Sequence, residues 1–206
     1  MISLSEGNAK LNKPNGGFYK ILGFGLPAKT TCPGALDCVG VCYALQGRYL
    51  MDNVMNARMN NWEASKGDSF VSDMVALLNK RRTYNVVRIH DSGDFYSQEY
   101  FNKWCDVARR VPGKVFYAYT KSLHLDLETN RPPNLRIIQS LGGKYDSHVD
   151  MSRPHSRIFS TDDARIAAGY VDGNVNDVPA IEGIVNIGLV YHGVRKLTLA
   201  QVKHFS

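Results

Sequence analysis

The 206-residue chain is 44% hydrophobic and 21% charged, with a net charge of +6. That balance excludes disordered and fibrous classes and allows a core without staples. No apolar run approaches the ~20 residues that span a bilayer, the start "MISLSEGNAKLNKPNGG" lacks a secretory leader's layout, and four cysteines are too few to frame a secreted domain this size, so a single cytoplasmic domain over residues 1–206, without membrane contact, is expected.

In chain order, "GFYKILGFGLPA" (Gly17 to Ala28) predicts a first strand, apolar, aromatic and punctuated by glycine. A cysteine-bearing loop follows. From Tyr43 to Lys66 good helix formers predominate, with Leu45, Tyr49, Met55, Met59 and Trp62 as apolar positions. After a break at "SKGD", Phe70, Val71, Met74, Leu77 and Leu78 recur at helical spacing. Lys80, Arg81 and Arg82 form the densest basic group of a dispersed set. They read as the last turn of that helix, where cations complement the dipole, or else as a patch for nucleic-acid phosphates.

"NVVRIHDSGDF" is a β-branched strand ending in an acidic turn, and Ser97 can cap the helix behind it. Phe101, Trp104, Cys105 and Ala108 mark one apolar face of that helix. "KVFYAYTKS", "NLRIIQS" and "SRIFS" are further strands, Ser160 with Asp163 resembles a capping box, "GIVNIGLVYHG" is a last strand, and "TLAQVKHFS" a closing helix. Roughly six strands alternating with helices or crossovers predict an α/β fold with a mainly parallel sheet, either doubly wound or an incomplete TIM-type barrel. Both place function at the carboxyl ends of the strands. The cysteine loop and "HDSGD" both follow predicted strands, so both should lie on that edge.

The loop "TCPGALDCVGVCYALQG" holds three of the four cysteines, Cys32, Cys38 and Cys42, spaced C-x5-C-x3-C with Pro33, Gly34 and Gly40 between them. In a reducing compartment such a cluster points to metal or redox chemistry rather than a disulfide. Three thiolates can hold three irons of a [4Fe–4S] cube and leave the fourth open. Zinc would want a fourth protein ligand, which His90 would supply from the same edge. Three unmetallated thiols, acting as a redox sensor, are the remaining alternative. Cys105 reads as core packing. Lys121 is a candidate for a phosphate or carboxylate, or simply faces water. His90 is a cluster-side ligand, an acid–base group or a satisfied strand histidine.

"TCPGALDCVGVCYA", "VRIHDSGDFYSQEYFNKW" and "VFYAYTKS" together resemble the bacteriophage gene product 88 family, clearly over about Gly17 to Ser122 and weakly beyond. The order of parts is also similar to that of radical S-adenosylmethionine (SAM) enzymes. Those carry a cysteine loop after the first barrel strand and a Gly-Gly-Glu-type motif after the second. This resemblance implies Cys32, Cys38 and Cys42 as cluster ligands. It places Ser92, Gly93 and Asp94 where the methionine amino group of SAM is held, with Asp91 near the cofactor. The spacing departs from the C-x3-C-x2-C of those enzymes, and aspartate stands in place of glutamate. As an ordinary local feature, "HDSGDFYS" is a strand-end turn followed by a helix cap.

The expected function is therefore that of a phage-type iron–sulfur protein with a radical-SAM-like partial barrel, binding or reductively cleaving SAM, in the host cytoplasm if phage-encoded. The alternative is a non-catalytic, cluster- or zinc-stabilised binding protein that contacts nucleic acid or a host factor.

Overall fold

Short β-branched and aromatic runs separated by turn residues suit strands buried on both faces. In the computed structural model, which describes residues 1–6 and 18–191, they form one parallel sheet of seven strands. The strands are β1 (Ile21–Phe24), β2 (Val86–Ile89), β3 (Val115–Thr120), β4 (Leu135–Ser140), β5 (His155–Phe159), β6 (Val171–Asp172) and β7 (Asn186–Val190). The helices are α1 (Asp52–Lys66), α2 (Phe70–Lys80), α3 (Gln98–Arg110), α4 (Asp162–Ala167) and α5 (Val178–Glu182).

The strand order is β1-β2-β3-β4-β5-β7-β6. A doubly wound sheet reverses direction part-way, which puts helices on both faces. Here five strands follow one another in sequence. Right-handed crossovers then place the connecting helices on one face, and the sheet curls into a half-barrel. That outer face carries the larger core, in which Leu22, Phe24, Val87, Ile89, Phe116 and Ala118 pack on Phe70, Met74, Phe101 and Trp104 of α2 and α3. Only the step from β6 back to β7 runs the other way, so the same handedness rule sends α5 to the inner face. Ala180 and Ile181 of α5 pack there against Tyr117, Ile138 and Ile187.

Several expectations change in detail. The described residues form seven strands rather than roughly six, because β6, two residues long, leaves no periodicity to read. The helix expected from Tyr43 starts only at Asp52; Tyr43–Leu45 and Gly47–Leu50 form short 3-10 turns, broken at Gln46, whose backbone is extended. On α1 the apolar pattern holds at Trp62, which packs against the core, but Met55 and Met59 are exposed while Asn61 and Ser65 are buried. Asn61 is drawn in because its amide donates to the Ser3 and Gly25 carbonyls and accepts from the Ser3 N–H. Tertiary hydrogen bonds override the pattern there.

Ser97 caps α3 as expected, accepting from the Tyr100 N–H at 3.2 Å. The cap of α4 is Thr161 rather than Ser160, and it accepts from the Ala164 N–H. Lys80 closes the last turn of α2, Arg82 is exposed, and Arg81 pairs with Glu6 at 2.6 Å. The end of "GIVNIGLVYHG" and the whole of "TLAQVKHFS" lie outside the described residues. No helix of the described residues is long and apolar enough to cross a membrane.

Candidate functional site

In a parallel sheet every strand delivers its C-terminus to the same edge. The segments following β1 to β4 meet there. Asp91 N–H donates to the Phe24 carbonyl, Leu26 N–H to that of Ser92, and Asp94 N–H to that of Thr31, all within 3.1 Å. Lys144 N–H donates to the Gly34 carbonyl, and Ala35 bridges Gly143. The cysteine loop is thereby tied across the edge from β1 to β4. Gly34 is required for that crossing, because a Cβ there would lie 2.0 Å from the Lys121 carbonyl oxygen.

Cys32, Cys38 and Cys42 are all free and half-buried on this loop. Burial pushes the Cys32 thiol up to about 12, and Asp94 and the other two thiols add to the rise. Burial also raises Cys38 and Cys42, while Lys121 opposes the rise at Cys38. The three sulfurs are thus within electrostatic reach of one another, and the lysine is within reach of Cys38. Among the described residues, no three His, Cys, Asp or Glu side chains are drawn together as a metal-coordinating group. Three ionised thiols would repel one another, and only a cation would gather them by displacing their protons. The donor set suits a soft metal, the thiolate chemistry that iron–sulfur clusters and zinc share.

His90 does not stand among the thiols. Its Nε2 meets Tyr100 Oη at 3.0 Å, and its ring packs against Phe24, Phe95 and Tyr100. Burial lowers its pKa to about 3, so it stays neutral. Cys105 is fully buried on the core face of α3.

The four residues of "DSGD" reach the same edge as the cysteines but divide their work. Asp94 accepts from Thr120 Oγ1 at 2.5 Å and Phe95 N–H at 2.7 Å through one oxygen, and from Lys121 N–H at 2.9 Å through the other. It stitches the end of β2 to the end of β3. Burial pushes its carboxyl up to about 6, against the pull of those hydrogen bonds. Gly93 sits at φ +83°, with no room for a Cβ beside Leu26 and Thr31. Ser92 Oγ donates to the Leu26 carbonyl at 2.6 Å and accepts from Arg58 Nε at 2.5 Å.

Asp91 pairs through Oδ2 with Arg58 at 2.9 Å, and its Oδ1 is buried without a hydrogen-bond partner over Gly25. Burial raises its pKa, against Arg58 and Arg88. Tyr43 Oη donates to the Asp91 carbonyl at 2.5 Å, and the Arg58 guanidinium lies 4.5 Å from the Tyr49 ring. Arg58, Tyr43 and Tyr49 are therefore site residues that the sequence does not mark. Arg58 is flanked by exposed methionines, and no local pattern separates it from a solvated arginine. Lys121 turns inward: its Nζ donates to the Leu141 carbonyl.

A separate concavity of about 700 Å³ is lined by residues including Arg131, Glu128, Asp150 and Arg153 and touches none of the cysteines. Those four charges pair with one another, Arg131 and Arg153 with Glu128 and Arg153 with Asp150.

The family profile described as Gene product 88 matches residues 2–197. The Gene 88 protein of Mycobacterium phage L5 is 30% identical over 164 residues, covering 72% of this chain and 64% of that protein. The Gene 88 protein of Mycobacterium phage D29 is 32% identical over 111 residues, covering 47% of this chain and 46% of that protein. The matched region thus spans less than two thirds of either relative's length. No solved structure matches the chain. With the profile covering nearly all of it, the chain belongs to the gene product 88 family.

Proposed function

We propose that the carboxyl edge of the half-barrel is a metal-cluster site, with Cys32, Cys38 and Cys42 as the ligands of a [4Fe–4S] cluster. One observation carries the reading: three free, half-buried thiols share a single loop tied across the sheet edge beside Lys121. Bound there, such a cluster would supply electron transfer and one iron open to a small amino-acid-like ligand such as SAM. The chain's own residues prepare the place. Lys121 provides positive charge next to Cys38. Gly34 and Gly25 allow close backbone and side-chain approach. Arg58, Ser92 and Asp91 present a rigid polar wall.

The test is anaerobic purification with iron, sulfide and zinc analysis and a visible spectrum, alongside Ala variants at the three cysteines. About four irons and four sulfides per chain, with the charge-transfer band lost in each variant, is the expected result. A SAM titration of the loaded protein follows. Stoichiometric zinc without a visible band refutes the cluster, as does the absence of any metal.

A second reading, a zinc- or cluster-stabilised protein that docks a host factor or nucleic acid, is supported by a specific feature. Leu36, Tyr43, Leu50, Met51, Met55 and Met59 are all exposed on the cysteine loop and the helix that follows it. Exposed apolar side chains gathered in one region mark interaction surfaces more than chance does. Zinc in place of iron, with salt-dependent DNA binding or capture of a defined host protein, would favour it.

A further inference from the structure

The inner face of the sheet holds a buried polar group that the cysteine edge does not use. Arg88 of β2 and Tyr117 of β3 are register neighbours, and Tyr119 lies two residues further along β3 on the same face. Arg88 Nη1 meets Asp177 Oδ2 at 2.8 Å, and Tyr117 Oη donates to the same oxygen at 2.7 Å. Asp177 is fully buried at the start of α5, so this knot pins α5 to the inner face.

Two donors are left over. Arg88 Nε and Tyr119 Oη are both buried with no hydrogen-bond partner, and the guanidinium lies 5.8 Å from the Tyr119 ring. A buried donor without an acceptor costs as much as a lost hydrogen bond, and native folds keep such groups few. Two on adjacent strands, on the same face, ask for an acceptor from outside the chain. The charges nearby are already balanced, Arg88 by Asp177 and Arg58 by Asp91. That balance disfavours a dianion and suits a single carboxylate. Aromatic surface surrounds the place: Tyr43, which directly follows Cys42, is within electrostatic reach of both Arg88 and Tyr119.

We propose that this inner-face site binds the carboxylate of a small organic acid, its oxygens accepting from Arg88 Nε and Tyr119 Oη and its body lying against the rings of Tyr43 and Tyr119. The site requires no metal, so its test is independent of the thiolate reading and leaves that reading untouched if it fails.

The experiment titrates the full chain as purified with benzoate, acetate and inorganic phosphate at constant ionic strength, by calorimetry and thermal shift. Wild type and Tyr119→Phe are compared, and Tyr117→Phe serves as the fold control. Benzoate is expected to bind wild type more tightly than acetate, with phosphate weakest. Tyr119→Phe should weaken benzoate about tenfold, the loss of one hydrogen bond to a charged group. It should also leave the ligand-free protein as stable as wild type or more so, because an unpaired buried hydroxyl is removed. Tyr117→Phe should lower stability while leaving Tyr119-dependent binding in place. Equal benzoate affinity in wild type and Tyr119→Phe, a preference for phosphate, or binding of none of the three overturns the proposal. So does a ligand-free Tyr119→Phe protein less stable than wild type, which would show that the hydroxyl already has an internal partner.

Discussion

Replacing His90 by phenylalanine should give a protein whose deficit in stability shrinks as the pH falls. His90 is 4% exposed, adopts φ +68°, and has its ring centroid 4.7 Å from that of Phe95. Phenylalanine keeps the aromatic packing but gives up the contact between Nε2 and Tyr100 Oη at 3.0 Å. Losing that hydrogen bond and holding a less tolerant residue in the left-handed region together cost about 2 kcal/mol. The pH term works the other way. Burial lowers the folded pKa from 6.5 to about 3. Above 6.5 the ring is neutral in both states. Below it the unfolded chain takes up a proton that the folded chain refuses. Wild type therefore loses roughly 1.4 kcal/mol for each pH unit below 6.5, or about 2 kcal/mol by about pH 5. The variant has no such loss. Urea denaturation followed by circular dichroism at pH 8 and pH 5 reads the gap directly. It should be about 2 kcal/mol at the higher pH and close to zero at the lower. A gap unchanged between the two would mean that His90 charges in the folded state and is not sealed among its aromatic neighbours.

Gly93→Ala should destabilise by about 3 kcal/mol, since the backbone is at φ +83° and a Cβ would lie 2.6 Å from both Leu26 Cβ and Thr31 Oγ1; a melting temperature within a degree of wild type would contradict the packing. Asp177→Ala leaves Arg88 buried without its ion partner, so a loss of about 3–5 kcal/mol in urea denaturation is expected. Thiol titration with a chromogenic disulfide on metal-free protein should count the three loop cysteines in the native state and Cys105 only after denaturation. A fourth native thiol would show that the α3 face opens. Ser97→Ala should cost about 1 kcal/mol through loss of the cap on α3.

The parallel α/β character was legible because it depends on local patterns. Runs such as "VVRI" and "VFYAYT" carry β-branched and aromatic residues between turn residues, and the alternation with helices leaves little choice but parallel pairing. The same patterns place the cysteine loop and "DSGD" after strands, and a parallel sheet brings strand ends to one edge. The caps show how far local chemistry reaches. Ser97 stands alone before its helix and was readable, whereas Ser160 and Thr161 compete over one residue, and only the backbone path selects Thr161.

The tertiary structure decided what depends on contacts between distant segments. Strand order, and with it the half-barrel and the placement of α5 on the inner face, follows from which edges pair and leaves no periodic trace. Asn61 and Ser65 are buried while Met55 and Met59 face outward, because hydrogen-bond partners supplied by Ser3 and Gly25 outweigh the apolar pattern of α1. Asp94 and Asp91 look alike in the sequence. Folding gives Asp94 three donors from β3 and its own turn, and gives Asp91 an arginine from α1. The residue types that can do chemistry are a property of the sequence, but which of them keep a free valence is settled by neighbours brought from dozens of residues away.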